Sequence, residues 1–303
     1  MTAFTAADKL HRLVKQALDS GAAASIAEAE ALFAGYRLAL RIGEEVARDR
    51  HHQAALLTAV ALARRIFLGG VSVAPVPDAP LLVPLPFGAT LADAIVHLGA
   101  SIGEPAAGTP VIEIGGAPSA RRAPFDVRAV FAGWRGGIVP APAEAAPVPA
   151  PVMALAPMLA AALAVNEAFL YVSGHVGVAG RRAVGLSLWD PTPACDWLGA
   201  AVTEPVLSLL PARLWLIGLG HLGQAYLWGL GLLPFSRPED LSLVLQDIDI
   251  ITPSTESTSI LSDSTLINIK KTRAMAAWAE LRGFSTVNHE RLFDATYRRQ
   301  DDE

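Results

Sequence analysis

Cysteine and lysine are the two residue types that this chain of 303 residues almost lacks. Its single cysteine is Cys195, so no disulfide can form within the chain, and we expect a reducing, cytoplasmic environment. Only four of its 24 basic residues are lysines, and two of these four are adjacent, Lys270 and Lys271. Because lysine is so scarce, this pair stands out as a candidate functional feature.

Charged residues and long apolar runs are also scarce. Charged residues make up 17% of the chain and hydrophobic residues 52%, which predicts a sizeable core and argues against disorder. The net charge of −5 argues against a nucleic-acid partner, which usually requires a basic excess. The most apolar stretch, 152–165, contains Pro157 and is shorter than the roughly 20 residues of a membrane helix. We therefore expect no membrane span, and interpret 152–172 as a helix of the core or of a dimer face.

The first half of the chain predicts helices followed by short strands. Apolar residues at helical spacing over 5–19 and about 23–66 predict a helical N-terminal region over 1–68. No glycine-rich nucleotide loop occurs over 69–116, and the Pro-rich residues 138–151 indicate an extended connector. Strand candidates lie near 71–75, 81–85, 111–114, 127–131 and 183–189.

The clearest functional pattern lies over residues 214–249. A strand over 214–217 leads into a glycine loop and a helix, and the next strand ends at Asp247. Gly218 permits a tight turn, Gly220 lets the backbone approach a phosphate, and Gly223 lets helix and strand pack closely. A helix predicted over about 222–230 offers the N–H groups of its N-terminus to phosphates, His221 lies within the loop, and Asp247 is expected at the ribose. This loop by itself favours NAD(P).

The residues after Asp247 favour ATP instead. A second aspartate, Asp249, follows at once, and Lys271 begins a helix 24 residues after Asp247. Over about 210–295 the sequence resembles the ThiF/MoeB family, the adenylating enzymes related to ubiquitin-activating enzymes. The glycine loop, the Asp-x-Asp pair and the lysine segment match its motifs, with Asn268 in place of a glycine.

The resemblance implies ATP and Mg²⁺ as cofactors and assigns roles to residues. Lys271 is the implied catalytic lysine, and Arg273 or Arg291 is expected to replace the family's arginine, because Thr258 stands at that position. No protein metal site is expected, and the Mg²⁺-binding aspartate and any transfer cysteine of the family fall beyond this chain. The serines and threonines over 252–259 are interpreted as a solvated loop. The implied nucleotide-binding residues are Gly218, Gly220, His221, Gly223, Asp247, Asp249 and Lys270.

The same resemblance implies the domain order and the function. We expect an α/β fold with a Rossmann-like, doubly wound, mostly parallel sheet, in which 69–198 forms a degenerate adenylation-like domain and 199–303 half of an active one. The implied function is ATP-dependent activation of the C-terminal carboxylate of a bacterial ubiquitin-like protein. Conjugating-enzyme-like and deubiquitinase-like partners, an antiphage defence setting and a homodimer are further implications. An NAD(P)-dependent oxidoreductase and a non-catalytic scaffold remain alternatives.

Overall fold

A computed structural model of the chain describes residues 6–118, 120, 123–199 and 203–294, so the outer ends of the regions expected over 1–68 and 199–303 lie outside the described residues. The described residues form two compact units. The larger unit spans 13–208, and the smaller unit combines 6–12 with 209–294.

The described strands and helices alternate along most of the chain. The strands are β1 (Leu38–Ile42), β2 (Val71–Ala74), β3 (Ser101–Ile102), β4 (Val111–Ile114), β5 (Asp126–Ala132), β6 (Arg135–Pro140), β7 (Val184–Ser187), β8 (Arg213–Ile217), β9 (Ser242–Gln246) and β10 (Ser285–His289). The α-helices are α1 (Ala6–Lys9), α2 (Arg12–Asp19), α3 (Ile26–Ala34), α4 (Arg50–Ala63), α5 (Leu91–His97), α6 (Ala156–Val172), α7 (His221–Leu232), α8 (Pro253–Glu256) and α9 (Lys271–Leu281). Short 3-10 helices cover Glu44–Ala47, Pro238–Asp240 and Ser264–Leu266.

The larger unit is built on a seven-stranded sheet in the order β3-β2-β1-β4-β5-β6-β7. Strands β1 to β5 pair in parallel, whereas β6 and β7 pair antiparallel to their neighbours. The chain runs outward from β1 to β3 and then returns to place β4 on the other side of β1. This order confirms the predicted α/β class with a Rossmann-like, mostly parallel sheet.

Alanine-rich helices form the core of the larger unit. Helix α4 packs against α6, and α6 also covers β4, β5 and β6. The inward faces of both helices are largely alanine, including Ala55 and Ala59 of α4 and Ala160 and Ala164 of α6, all completely buried. Small side chains let the helix backbones approach closely, so the apolar stretch predicted as core or dimer face packs within its own unit. None of the described helices combines the length and apolarity needed to cross a lipid bilayer.

The smaller unit contains a parallel three-stranded sheet in the order β10-β9-β8. Leu214 pairs with Leu243, and Val244 pairs with Val287, so apolar residues align across the three strands. Helices α7 and α9 contact each other, and α9 packs against β9 and β10. Trp228 of α7 is completely buried. The carboxyl ends of the three strands meet at one edge of the sheet, which is where the candidate site lies.

Two local predictions from the sequence are wrong. Residues 23–66 are not continuously helical, because β1 interrupts them and pairs with β2 on one side and β4 on the other. Its sequence, Leu-Ala-Leu-Arg-Ile, fits a helix as well as a strand, and its burial on both faces of the sheet removes the alternation that identifies a strand. Residues 81–85 form no strand, and near them only Pro80 makes an isolated bridge, to Thr90.

Gly43, directly after β1, is expected to be intolerant of a side chain. A Cβ at this residue would lie 2.6 Å from the backbone of Gly115 and Gly116, which follow β4. Gly43→Ala should therefore lower the free energy of unfolding by about 1–3 kcal/mol, the usual cost of overpacking. Gly177→Ala is the matched control, because nothing lies within 4 Å of its Cβ position. Urea denaturation checks this prediction, and equal midpoints for the two variants would contradict it.

Candidate nucleotide-binding site

The glycine loop joins β8 to α7 and has the geometry that its sequence predicts. Gly218 has φ of +88°, a left-handed conformation that favours glycine. A Cβ on Gly223 would lie 2.1 Å from the carbonyl oxygen of Gly218, so the first turn of α7 packs directly on the loop. Gly220 is the N-cap of α7, and nothing lies within 4 Å of its Cβ position. The backbone at Gly220 is therefore open to a ligand.

The N-terminus of α7 is suited to an anion. Its N-cap residue, Gly220, has no side chain that could cap it, and its first turn contains no acidic residue. The first N–H groups of a helix lack partners within the helix, and the helix dipole places partial positive charge there. His221, the first residue of α7, is exposed. The loop and helix therefore combine an accessible backbone with an uncapped, electropositive terminus, the arrangement that binds phosphates in many proteins.

Asp247, directly after β9, holds the glycine loop in place. One carboxylate oxygen accepts a hydrogen bond from the N–H of Leu219 at 2.7 Å, and the other accepts one from the N–H of Asp249 at 2.8 Å. The Asp247 side chain is only 9% exposed. A carboxylate can accept about four hydrogen bonds, so these two leave capacity for a ligand hydroxyl. Its predicted ribose role stays a prediction, but its structural role at the loop is clear.

Lys271 lies beside the same carboxylate. Its Nζ is 2.8 Å from Oδ2 of Asp249 and 3.8 Å from Oδ2 of Asp247, the oxygen that also binds Leu219. The Lys271 side chain is 11% exposed, and the residue begins α9. A cation at a helix N-terminus is unfavourable, and the two carboxylates offset that cost. The structure thus brings together the glycine loop, the Asp-x-Asp pair and the predicted catalytic lysine.

Backbone hydrogen bonds deliver Lys271 to this position. The N–H groups of Ile251 and Asn268 bond the carbonyls of Ile269 and Ile251, and the Lys271 N–H bonds the Asp249 carbonyl at 3.0 Å. Asn268 turns the chain with φ of +73°, a left-handed conformation that asparagine tolerates better than most residues. Residues 268–271 are therefore fastened to 249–251, which fixes the lysine relative to the aspartates.

The other predicted cations have partners other than the two aspartates. The Nζ of Lys270 donates to the carbonyl of Ile248. The guanidinium of Arg273 pairs with Glu290 through hydrogen bonds of 2.6 and 3.3 Å. This hydrogen bonding raises the pKa of Arg273 and lowers the pKa of Glu290. The predicted catalytic role of Arg273 stays a prediction, and in this structure its side chain is committed to an exposed carboxylate.

Gln224 is a component of the site that the sequence did not reveal. It is completely buried in the first turns of α7, and its amide nitrogen donates to the carbonyl of Leu219 at 3.2 Å. Its amide oxygen accepts from the N–H of Leu261 at 3.0 Å and from the hydroxyl of Ser262 at 3.1 Å. Gln224 therefore ties the glycine loop to the serine-rich segment after β9. A polar residue on an otherwise apolar helix face was the available signal.

The serine-rich segment is not the solvated loop that its composition predicted. Ser254, Ser257 and Ser259 are each less than 5% exposed. Residues Pro253–Glu256 form α8, which Thr252 caps by accepting a hydrogen bond from the Thr255 N–H. The hydroxyl of Ser257 returns to the carbonyl of Ser254 at 2.9 Å. A local hydrogen bond of this kind satisfies the Ser257 hydroxyl inside the fold, so polar composition alone was misleading here.

The larger unit has a comparable strand order but the opposite electrostatics at its first strand–helix connection. The N-terminus of α4 is capped by Asp49, which accepts a hydrogen bond from the His51 N–H at 2.9 Å. Burial alone would raise the pKa of Asp49, but the hydrogen bonds with His51 and His52 hold that pKa below its usual range. A negative charge thus occupies the end of the helix where a phosphate would bind.

Comparisons with known proteins place the chain in a family. The model of a family described as the BilD N-terminal domain matches residues 37–188, and that of the BilD C-terminal domain matches residues 210–303. The chain belongs to the BilD family. A curated BilD relative from Collimonas sp. (strain OK412), named "Bacterial E1-like protein BilD", is 42% identical over 298 residues. That alignment covers 97% of this chain and 64% of the relative.

The predicted membership of the ThiF/MoeB family is wrong. The family models that match are those of the two BilD domains, and neither match is to ThiF/MoeB. The glycine loop, the Asp-x-Asp pair and the lysine spacing are short features of a strand–helix–strand segment. Such features describe local geometry, and so they could not distinguish the BilD family from other families with a similar strand–helix–strand segment.

Substitutions at Gly223 and Gly220 test the loop geometry. Gly223→Ala should lower the free energy of unfolding by about 1–3 kcal/mol, because its Cβ would collide with the Gly218 carbonyl oxygen. Gly220→Ser should not lower it, because its Cβ position is open and serine is a favourable N-cap residue. Chemical denaturation of both variants checks this. Similar losses at the two glycines would show that the loop is packed differently.

Proposed function

We propose that this chain carries the nucleotide-binding part of a bacterial E1-like activating enzyme, which uses ATP to adenylate the C-terminal carboxylate of a ubiquitin-like protein. The name of the 42% identical relative supports the E1-like role. Because the chain spans 64% of the length of that relative, the complete reaction is proposed for the whole protein. The carrying observation is that Lys271 lies beside a glycine loop with an uncapped helix N-terminus.

The proposed reaction requires positive charge and N–H donors. The carboxylate attacks the α-phosphate of ATP, the bond to the β-phosphate breaks, and pyrophosphate leaves. Two anions must approach each other, and a further charge develops on the leaving group, so fixed cations and backbone dipoles lower the barrier. The Nζ of Lys271 and the N–H groups at the start of α7 are the groups of this site that supply them.

Asp247 and Asp249 have different parts in this proposal. Asp247 fixes the loop and has remaining acceptor capacity for the ribose hydroxyls of ATP. Asp249 is 61% exposed on its side chain and orients Lys271. Mg²⁺ usually binds through substrate phosphates with one or two carboxylates, and Asp249 is the exposed carboxylate of this cluster. Conjugating-enzyme-like and deubiquitinase-like partners, the antiphage setting and a homodimer remain parts of the proposal.

Removing the amine of Lys271 should impair ATP binding and catalysis. Lys271→Ala eliminates the buried cation, so we expect ATP affinity to fall by roughly tenfold or more, the equivalent of one charged hydrogen bond. ATP–pyrophosphate exchange with the cognate ubiquitin-like protein should fall by roughly 100-fold or more. Calorimetry and an exchange assay measure these effects.

Lys15→Ala is the control for this substitution, since it removes a lysine from an exposed pair with Asp19. It should change neither ATP affinity nor exchange. Circular dichroism and thermal unfolding establish that both variants are folded. A folded Lys271→Ala protein with unaltered exchange would remove Lys271 from the proposed mechanism.

An acidic cap on α7 should exclude ATP without unfolding the protein. Gly220→Asp places a carboxylate at the N-cap, where aspartate is favourable for the helix and repels phosphates. We expect ATP affinity to fall by roughly tenfold or more, with stability unchanged or higher.

The competing oxidoreductase function is tested with the same calorimetry. The wild-type chain should bind ATP more tightly than NADH, and Gly220→Ser, which adds no charge, is the companion variant to Gly220→Asp. Tight NADH binding without ATP binding would contradict the proposed activating function and favour an oxidoreductase function. Equal ATP affinity in wild type and Gly220→Asp would show that the phosphates of ATP do not bind at the N-terminus of α7.

A further inference from the structure

The larger unit contains a cavity that the proposed function does not use. Its volume is about 200 Å³, and its charged or ionisable lining residues are Glu45, His52, Glu113 and Arg128. Glu113 lies on β4, and Glu45 follows β1, so the cavity lies at the carboxyl ends of the strands where the strand order reverses. This is the place where open α/β sheets bind ligands.

One residue of the cavity lining offers a buried hydrogen-bond donor. Arg128 of β5 is 7% exposed, and its Nη2 donates to the carbonyls of Ala143 at 2.6 Å and Ala145 at 3.3 Å. Its Nε is buried without a hydrogen-bond partner among the described residues. Burial lowers the pKa of Arg128, and neighbouring Glu113 opposes that effect, so the guanidinium stays charged. An unmatched buried N–H is costly, and an anionic or carbonyl group of a ligand would satisfy it.

Other residues of the lining offer acceptors. The Nδ1 of His52 is 2.6 Å from a carboxylate oxygen of Asp49, which is itself fixed as the N-cap of α4. In a neutral imidazole whose Nδ1 proton is donated to a carboxylate, Nε2 is an acceptor. Contact with Phe131, at 4.8 Å between ring centroids, also restricts the His52 ring. The Glu45 carboxylate has no hydrogen-bond or ion-pair partner within the described part of the chain.

These groups define the charge of a suitable ligand. Among the described residues, the lining carries the carboxylates of Glu45 and Glu113 and the guanidinium of Arg128, whose Nε–H has no hydrogen-bond partner there. A polyphosphate is disfavoured, because the carboxylates of Asp49 and Glu45 would repel it. The backbones of Gly43 and Gly115 also pack closely against each other, so a phosphate does not fit between them. A ligand with one anionic and one cationic group satisfies both the Arg128 donor and the acceptors of Glu45 and His52. We propose that this cavity binds a small zwitterion of the α-amino-acid class, its carboxylate at Arg128 and its ammonium at Glu45 and His52.

Calorimetry with single-charge probes tests the ligand class. The whole chain is titrated with the standard L-amino acids, with propionate as the carboxylate-only probe and ethylamine as the amine-only probe. At least one amino acid should bind. Propionate and ethylamine should bind with at least roughly tenfold lower affinity, since propionate satisfies only the donor and ethylamine only the acceptors. No binding by any amino acid, or equal binding by a single-charge probe, would overturn the proposal.

A pair of neighbouring glutamates provides the matched variants. Glu45→Gln removes the cavity carboxylate, whereas Glu44→Gln makes the same chemical change on an exposed residue outside the cavity lining. The affinity for the tightest-binding amino acid should fall roughly tenfold in Glu45→Gln and stay unchanged in Glu44→Gln. Neither variant should change ATP affinity, because both lie in the larger unit. Equal amino-acid affinity in the two variants would refute the assignment of this cavity.

Discussion

The candidate site depends on one buried carboxylate, that of Asp247. It bonds the backbone of the glycine loop through one oxygen and the backbone of Asp249 through the other, and Lys271 lies against the pair. The same carboxylate thus joins the loop after β8 to the segment after β9, in addition to the hydrogen bonds that Gln224 makes between them. The position of the lysine relative to the helix N-terminus follows from these few hydrogen bonds, which are short and connect rigid elements.

The fold of the smaller unit could be predicted because its signals are local. Gly218 and Gly223 each have a backbone reason to be glycine, and the apolar strands on either side are short and clearly bounded. The strand β1 could not be recognised in the same way. Leu38 and Leu40 lie on one face and Ala39 on the other, and all three are buried, so their sequence lacks the polar alternation of a half-exposed strand. Only its pairing with β2 and β4 selects the extended form.

The sequence predicted several of the residues that form the site, but not the hydrogen bonds that hold them. The spacing from the glycine loop to Asp247 and Lys271 follows from the chain order, whereas the hydrogen bonds of Gln224 to Leu261 and Ser262 depend on tertiary contacts. The same limit applies to Arg273, because its pairing with Glu290 joins α9 to residues that follow β10. Family membership was also beyond these motifs, since the geometry of a phosphate loop is shared more widely than the sequence that surrounds it.

The capping of α4 by Asp49 has a consequence for any anion in solution. The carboxylate is covalently tethered to the helix end that it occupies, so its effective concentration there does not fall when the protein is diluted. A free phosphate would have to displace an intramolecular competitor that is further held by His51 and His52. Raising the concentration of a free phosphate therefore cannot readily convert this connection into a phosphate site. The two units thus differ at the start of this helix, because a carboxylate side chain caps α4 whereas a glycine is the N-cap of α7.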